Sequence, residues 1–373
     1  MGDWHTHVIT TTYAADVSGV CSAMFELGGM SIIHDPSGCN STYTTHDEPR
    51  WYDSTSLMFA SGLDEMGAIM GDDSVVIKDA VAAIHDLHPR FVTLCGSSIP
   101  HVIGFDTVGV AKLIEEQTGV TVLGVKTDGL KSYVSGVGKA LDAWISRFAD
   151  PKEEKILNSV NLLGVTPLDF STAENVSLLK QTFEEYGWTV NGCFAMNDSF
   201  ENLTHACRAS VNVAVSSAGL IPAKKMKARY GIPYVIGLPM GKKMSARVIS
   251  ACRKAQEEGT NQSAYETFQD GTVLIIGEEV FAASAAQSLR EAGLRAYSVS
   301  PDPDEGFDEE TLGTMMNSAE IIVADPLFRV LWNEKPGKRF IDFPHEGCSG
   351  RIFRDSIPLF AGSSFELERL IGS

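Results

Sequence analysis

The sequence has no Cys-x-x-Cys pair, no G-x-G-x-x-G fingerprint, no G-x-x-x-x-G-K-[ST] loop and no long apolar run. Each absence removes a class of function. Without paired cysteines there is no zinc ribbon and no thioredoxin-like redox site. Without a glycine cradle for phosphates the chain is not expected to bind or hydrolyse ATP itself. The nearest approach, Gly277-Glu278-Glu279-Val280 after an apolar run, sets two carboxylates where a pyrophosphate needs positive potential. Basic residues are scarce, 30 Lys and Arg against 48 Asp and Glu, for a net charge of −18. A nucleic acid or an anionic membrane would require the opposite footprint, so neither is expected as a partner. No stretch approaches the roughly 18 apolar residues of a spanning helix. The N-terminus shows no basic region followed by an apolar one, so a cytoplasmic protein without disulfides is expected.

Seven cysteines remain, at positions 21, 39, 95, 193, 207, 252 and 348. Their wide spacing leaves two readings, small buried side chains or soft ligands for an iron–sulfur cluster.

A length of 373 residues exceeds one ordinary core and predicts two or three domains. Short apolar runs alternate with helical periodicities throughout. Runs at 30–33, 90–94, 120–125, 159–164, 189–194, 234–237, 272–277, 296–299 and 321–325 read as strands. Stretches 20–27, 53–69, 72–87, 108–118, 135–148, 172–186, 205–215, 243–258 and 278–292 read as helices, with Ile77, Val81, Ile84 and Leu87 on one face of the third. The basic run 223–229 reads as the solvated face of a further helix. This alternation predicts an α/β fold of three Rossmann-like domains with parallel sheets, over 1–152, 153–270 and 271–373. Residues 1–17 read as an arm lying on another part of the molecule.

The chemistry concentrates near the first strand. Met30 to Ile33 runs into His34-Asp35-Pro36-Ser37-Gly38-Cys39, a turn with two breakers followed by a thiol. In open α/β sheets, ligands bind in the loops after strands. Segment 44–53, ThrThrHisAspGluProArgTrpTyrAsp, is dense in charge and aromatics without amphipathic period. His34 is a candidate for the same site or, equally, a packed core histidine. Pro344-His345-Glu346-Gly347-Cys348 is a second turn able to line a pocket or simply to turn the chain.

These residues resemble the nitrogenase component 1-type oxidoreductase family, which includes nitrogenase molybdenum–iron protein subunits and tetrapyrrole reductases. The family pattern of a strand, His-Gly-x-x-Gly-Cys and a segment ending in Glu-Pro is matched by His34 to Cys39 and Glu48-Pro49. The resemblance continues through Gly71-Asp72-Asp73, Val102-Ile103-Gly104-Phe105-Asp106, Tyr230-Gly231-Ile232-Pro233-Tyr234 and Leu238-Pro239-Met240-Gly241. It implies a cytoplasmic dimer, of identical or paralogous subunits, with an iron–sulfur cluster of the [4Fe–4S] type at the subunit interface. It also implies a separate ATP-dependent iron–sulfur reductase as electron donor. Cys39 matches the middle family ligand. By spacing, the first family ligand falls at Ala14 or Ala15, several residues before Cys21, and the third at Ser98, three residues after Cys95. Cys21 and Cys95 are therefore ligand candidates that a shifted loop would have to deliver; Asp and Ser oxygens are further possible ligands. Cys21 with Cys39 from two copies would make four thiolates. His205-Ala206-Cys207-Arg208 resembles the segment that holds the catalytic cluster of true nitrogenases, with Cys207 displaced by one position. This favours an organic or metallo-tetrapyrrole substrate in an open pocket between the domains, lined from His34, His205, Cys207, His345 and Cys348. The rival expectation is a non-catalytic metal-cofactor or cluster assembly protein on the same scaffold.

Overall fold

In the computed structural model of the chain, residues 8–13, 15–36, 38, 48–52, 54–301 and 308–372 are described; Cys39 lies outside them. Three parallel sheets follow one another along the chain. The first unit comprises α1 (Asp16–Met24), β1 (Met30–His34), β2 (Leu57–Ala60), α2 (Glu65–Met70), α3 (Ser74–Leu87), β3 (Val92–Gly96), α4 (Ser98–Val102), α5 (Thr107–Thr118), β4 (Val122–Gly124) and α6 (Tyr133–Phe148). The strand order is β2-β1-β3-β4. β1 and β3 are buried along their whole length, as a sheet covered on both faces requires. The helix α1 lies directly on α6. A Cβ on Gly136 would sit 1.8 Å from the Asp16 carbonyl oxygen and one on Gly19 2.0 Å from that of Tyr133, so backbone meets backbone at this crossing.

One helix expectation fails in this unit, and the buried face of another is shifted. Residues 53–69 are not one helix, because Leu57–Ala60 completes a parallel ladder against Met30–Ile33. Helix begins only at Glu65, between an Asp64 side-chain cap and the left-handed Gly71. In α3 the buried stripe is Val76, Ala80 and Ile84, which leaves Ile77 and Val81 at its margin and Leu87 exposed.

The second unit contains β5 (Ile156–Leu163), α7 (Pro167–Phe170), α8 (Ala173–Glu185), β6 (Thr189–Cys193), α9 (Phe200–Leu203), β7 (Ala209–Ala214), α10 (Leu220–Tyr230), β8 (Tyr234–Ile236), α11 (Gly241–Glu258) and β9 (Gln262–Ser263), ordered β6-β5-β7-β8-β9. The helix expected over 205–215 is instead a short turn followed by β7. Its alternating Val211 and Val213 fit a central strand, and β7 is buried on both faces between β5 and β8.

The third unit contains β10 (Val273–Ile276), α12 (Glu279–Glu291), β11 (Ala296–Val299), α13 (Glu309–Ser318), β12 (Ile321–Ala324), β13 (Arg339–Asp342), α14 (Glu346–Ser349) and α15 (Leu367–Gly372), ordered β11-β10-β12-β13. Past α14 the chain returns to the second unit: Gly362 bridges Met240, and the Phe360 amide donates to Asn175 Oδ1 at 3.0 Å.

All three sheets thus begin second-first-third-fourth in chain order, the second adding β9 beyond β8. Each reverses its winding between its first and third strands, and that switch point is where α/β sheets bind ligands. His34, Asp35 and Ser97 stand at the first switch point, Thr166, Ser216 and Ser217 at the second, Glu278 and Asp325 at the third; all but the half-buried Ser217 are buried. No helix among the described residues is long and apolar enough to cross a membrane.

Candidate functional site

At the first switch point, His34 Nδ1 lies 2.8 Å from Ser61 Oγ, and its ring is 4.2 Å from that of Phe105. Burial drives its pKa down to about 4, so the ring is neutral at pH 7. The Ser97 hydroxyl donates to Asp35 Oδ1. Beside them lies a cleft of about 450 Å³ lined by Gly96, Pro100, His101, Phe105, Lys126 and Asp128.

The Glu-Pro segment precedes β2 and is anchored by Arg50. Arg50 donates through Nε and an Nη to both oxygens of Glu48, at 2.7 and 3.0 Å, and through the other Nη to Glu26 at 2.9 Å. Its remaining hydrogens reach the carbonyls of Ser22 and Ala195, and Phe25 covers its face at 4.5 Å. The Tyr133 hydroxyl donates to Ser22 Oγ, which donates to Glu48. This buried network ties the end of the Cys39-bearing segment to α1, α6 and the second unit. Ala195 is held at φ +96°, a backbone region costly for a side-chain-bearing residue, and its carbonyl accepts from Arg50.

Of the cysteine candidates of the first unit, Cys39 lies outside the described residues, and Cys21 and Cys95 do not reach the first switch point. Cys21 and Cys95 are both fully buried in the apolar core with Val17, Val20 and Val137. Their thiols contact each other, and the Cys95 sulfur lies 3.8 Å from the Ile32 carbonyl. As placed, they do not fit as ligands of a cluster shared with another subunit. Asp16, beside the spacing position of the first family ligand, is also occupied: it accepts from the Gly129 and Asp128 amides and pairs with Lys139 at 3.2 Å. Among the described residues no group of three or more His, Cys, Asp or Glu side chains is disposed to hold a metal ion.

The second and third switch points face each other across a cleft, and the N-terminal arm enters it. Tyr13 donates its hydroxyl to Asp169 Oδ1, whose other oxygen accepts from Thr166 at 2.7 Å. Glu278 accepts from the Ser217 amide and hydroxyl at 2.7 and 2.5 Å and from the Phe281 amide at 2.9 Å. His345 Nδ1 accepts from the Gly347 amide at 3.1 Å, which leaves the proton of the neutral ring on Nε2. Burial holds His345 near pKa 4. Burial also lifts Asp169 to about 6, and burial together with the Asp169 charge lifts Glu278 to about 7. The expected open pocket is closed here: the void beside Tyr13, Ser217 and Glu278 measures about 10 Å³, at or below what one water needs.

Of the pocket candidates, His345 and Cys348 lie at this cleft, and His34 stands at the separate first switch point. His205 and Cys207 lie at the opposite, amino edge of the second sheet, because the turn that bears them precedes β7. His205 Nδ1 meets Glu153 at 2.6 Å, and Cys207 is packed beside Lys155, burial raising its pKa to about 11. The sequence reading missed Tyr13, Asp169 and Asp325, and saw Glu278 only as an obstacle to phosphate. The signal available for Asp169 was Thr166-Pro167-Leu168-Asp169, a helix-start pattern directly after a strand.

The charges in the cleft make a pH prediction. Unfolded, Asp169 and Glu278 hold protons only below their ordinary values of 3.8 and 4.5; folded, they hold them up to about 6 and 7. Across that interval the folded state binds more protons, so their contribution to stability is present below pH 4 and is lost as the pH rises towards 7. His345 acts oppositely, destabilising the fold as the pH falls from 6.5 towards 4. Asp169→Asn keeps an acceptor for Tyr13 and a donor for Thr166 and removes one charge. It is expected to shrink the loss of thermal midpoint between pH 5 and pH 8; equal slopes in variant and parent would refute this account of the cleft.

The fold and site together define a three-unit parallel α/β protein with ligand edges at its sheet switch points, one of them a closed cleft between units. A sequence model of the nitrogenase component 1 type oxidoreductases matches residues 18–332, and the chain belongs to that family. It is 22% identical to the nitrogenase iron-molybdenum cofactor biosynthesis protein NifE of Clostridium pasteurianum, over 79% of this chain and 69% of that one. It is 28% identical to one of the subunits of the light-independent protochlorophyllide reductase of Crocosphaera subtropica, over 37% of this chain and 27% of that one. The alpha chain of the nitrogenase molybdenum-iron protein of Methanosarcina barkeri matches at 19% over 55% of this chain and 40% of its own length. Among solved structures, nitrogenase Cp1 at pH 6.5 superposes with a TM-score of 0.71 at 12% identity, covering 97% of this chain and 91% of that one. That likeness shows the fold.

Proposed function

We propose that this chain is the substrate-holding component of a nitrogenase-like oxidoreductase, paired with a second subunit and served by a separate ATP-dependent iron–sulfur reductase. An iron–sulfur group held between the subunits at the Cys39 segments supplies one-electron transfer at low potential. The substrate is an organic molecule or a metallo-tetrapyrrole received in the cleft of Asp169, Glu278 and His345. There Glu278, whose proton is lost only around neutrality, is a proton source at the end of β10.

The observation that carries this reading is the surface at the carboxyl edge of the first sheet, the edge at which β1 ends. Met66, Ile69 and Met70 after β2, Val102 after β3 and Leu130 after β4 stand between 62% and 80% exposed on one edge of the first sheet. An apolar rim of this kind marks a protein interface. With Cys21 and Cys95 in the core, two identical chains offer only two thiolates there, so the remaining ligands fall to oxygen donors or to a paralogue's own cysteines. That shortage, and the likeness to a cofactor biosynthesis protein over most of the chain, favour a second reading: an assembly protein that holds a cluster or metal cofactor without turning it over.

The joint variant Ile69→Glu/Val102→Glu places charge on the rim without touching the core. It is expected to dissociate the subunits and abolish iron binding together. A dissociated variant that keeps its iron would defeat the shared site. In the parent protein, iron that cycles between redox states only when a reductase and ATP are present supports the enzyme, and a metal cofactor bound tightly with no turnover supports the carrier.

A further inference from the structure

The cleft's occupant belongs to the chain itself. Residues 8–13 take part in no helix or strand. They cross from the third unit to the second on a few side-chain contacts. The Val8 and Ile9 amides donate to the Glu309 carboxylate at 2.7–3.0 Å, Thr12 Oγ1 donates to the Glu346 carbonyl at 2.7 Å, and Tyr13 ends on Asp169. The Tyr13 ring lies 6.0 Å from both the Tyr133 and the His345 rings. It rests on Gly347, where an added Cβ would come within 2.5 Å of the phenol carbon. Ile9 covers the same small core that contains Cys348. A segment without a backbone ladder, held among the described residues at Glu309, Glu346 and Asp169, opens locally far more readily than the sheets it lies on.

We propose that residues 8–13 form a displaceable strap, and that the ligand of the cleft enters by taking the place of Tyr13. The seat specifies the ligand's chemistry. It is a flat group for the slot between Tyr133 and His345, with an O–H or N–H to donate to Asp169. The group seated there is neutral or cationic, since Asp169 and Glu278 oppose an anion. This rests on the cleft being the substrate site of the proposed function, and it supplies the gate which that closed cleft requires.

Cys348 reports the opening. It is buried beneath the strap, whereas Cys252 is equally buried in α11, within the core of the second unit. Native full-length protein is treated with N-ethylmaleimide and each cysteine is followed by mass spectrometry. Cys348 is expected to react at least about tenfold faster than Cys252, because local opening precedes global unfolding. Glu309→Gln, at a half-buried position, weakens the anchor of the two strap amides; it is expected to speed Cys348 a further few-fold and leave Cys252 unchanged. Equal rates at Cys348 and Cys252, or a Cys348 rate indifferent to Glu309→Gln, would overturn the strap. In Tyr13→Ala, p-cresol is expected to refill the seat and slow Cys348 labelling saturably, with 4-methylbenzoate ineffective; protection by neither, or equally by both, would overturn the assigned ligand chemistry. None of these readouts involves iron, so failure of the strap and failure of the electron-transfer reading remain distinguishable.

Discussion

Arg50→Met is expected to destabilise the first unit by about 3–5 kcal/mol, the usual cost of removing one partner from a buried ion pair. The guanidinium is 8% exposed and its Glu48 partner 1%. The substitution takes the guanidinium away from the buried Glu48 carboxylate, and leaves the Ser22 and Ala195 carbonyls without their donor from Arg50. Trp51, edge-on to Phe25 at 4.8 Å, gives a fluorescence signal at the site. Urea unfolding followed at Trp51 is expected to shift strongly to lower concentration. The double variant Glu48→Leu/Arg50→Met should lose less than the sum of the single variants, because the buried carboxylate then leaves with its partner. A loss of under about 1 kcal/mol in Arg50→Met would mean that the network is only a surface decoration. The same variant should bind iron poorly, since Glu48 and Arg50 fix one end of the Cys39-bearing segment to α1.

The second large effect separates the three cysteines of the first unit. Cys39→Ala is expected to abolish iron and sulfide binding with little change in stability. Cys21→Ala and Cys95→Ala are expected to do the reverse, retaining iron while losing about 1–2 kcal/mol to the small cavity left in a packed core. Iron content and urea midpoints measured on the three variants give two independent columns. Loss of iron in Cys21→Ala or Cys95→Ala at unchanged stability would show that the core arrangement gives way to a ligating one when metal binds.

The strands were the most legible part of the sequence, because parallel strands covered on both faces appear as unbroken apolar runs between turn residues. Ile32-Ile33, Leu274-Ile275-Ile276 and Ile321-Ile322-Val323 carry that signal. The failures share a cause: Leu57–Ala60 and Ala209–Ala214 are short, and periodicity over so few residues does not separate strand from helix until a neighbouring strand offers a ladder. The Cys39 segment was visible because chemistry-bearing residues crowd after a strand. Spacing along the chain does not say which way a side chain points, so Cys21 and Cys95 read as ligands and fold as core. The cleft was the least legible feature. Tyr13, Asp169, Glu278 and His345 come from four separate places in the chain, and only the meeting of two sheet edges makes them one site.

The measurement closest to the central claim is iron and acid-labile sulfide per chain after strictly anaerobic purification, with electron paramagnetic resonance before and after dithionite. The account predicts iron and sulfide in equal amounts, carried only by the assembled subunits, with a paramagnetic signal that appears or changes on reduction. A protein that stays free of iron and sulfide after reconstitution with its partner subunit would contradict it, leaving a gated binding protein on a nitrogenase-like scaffold.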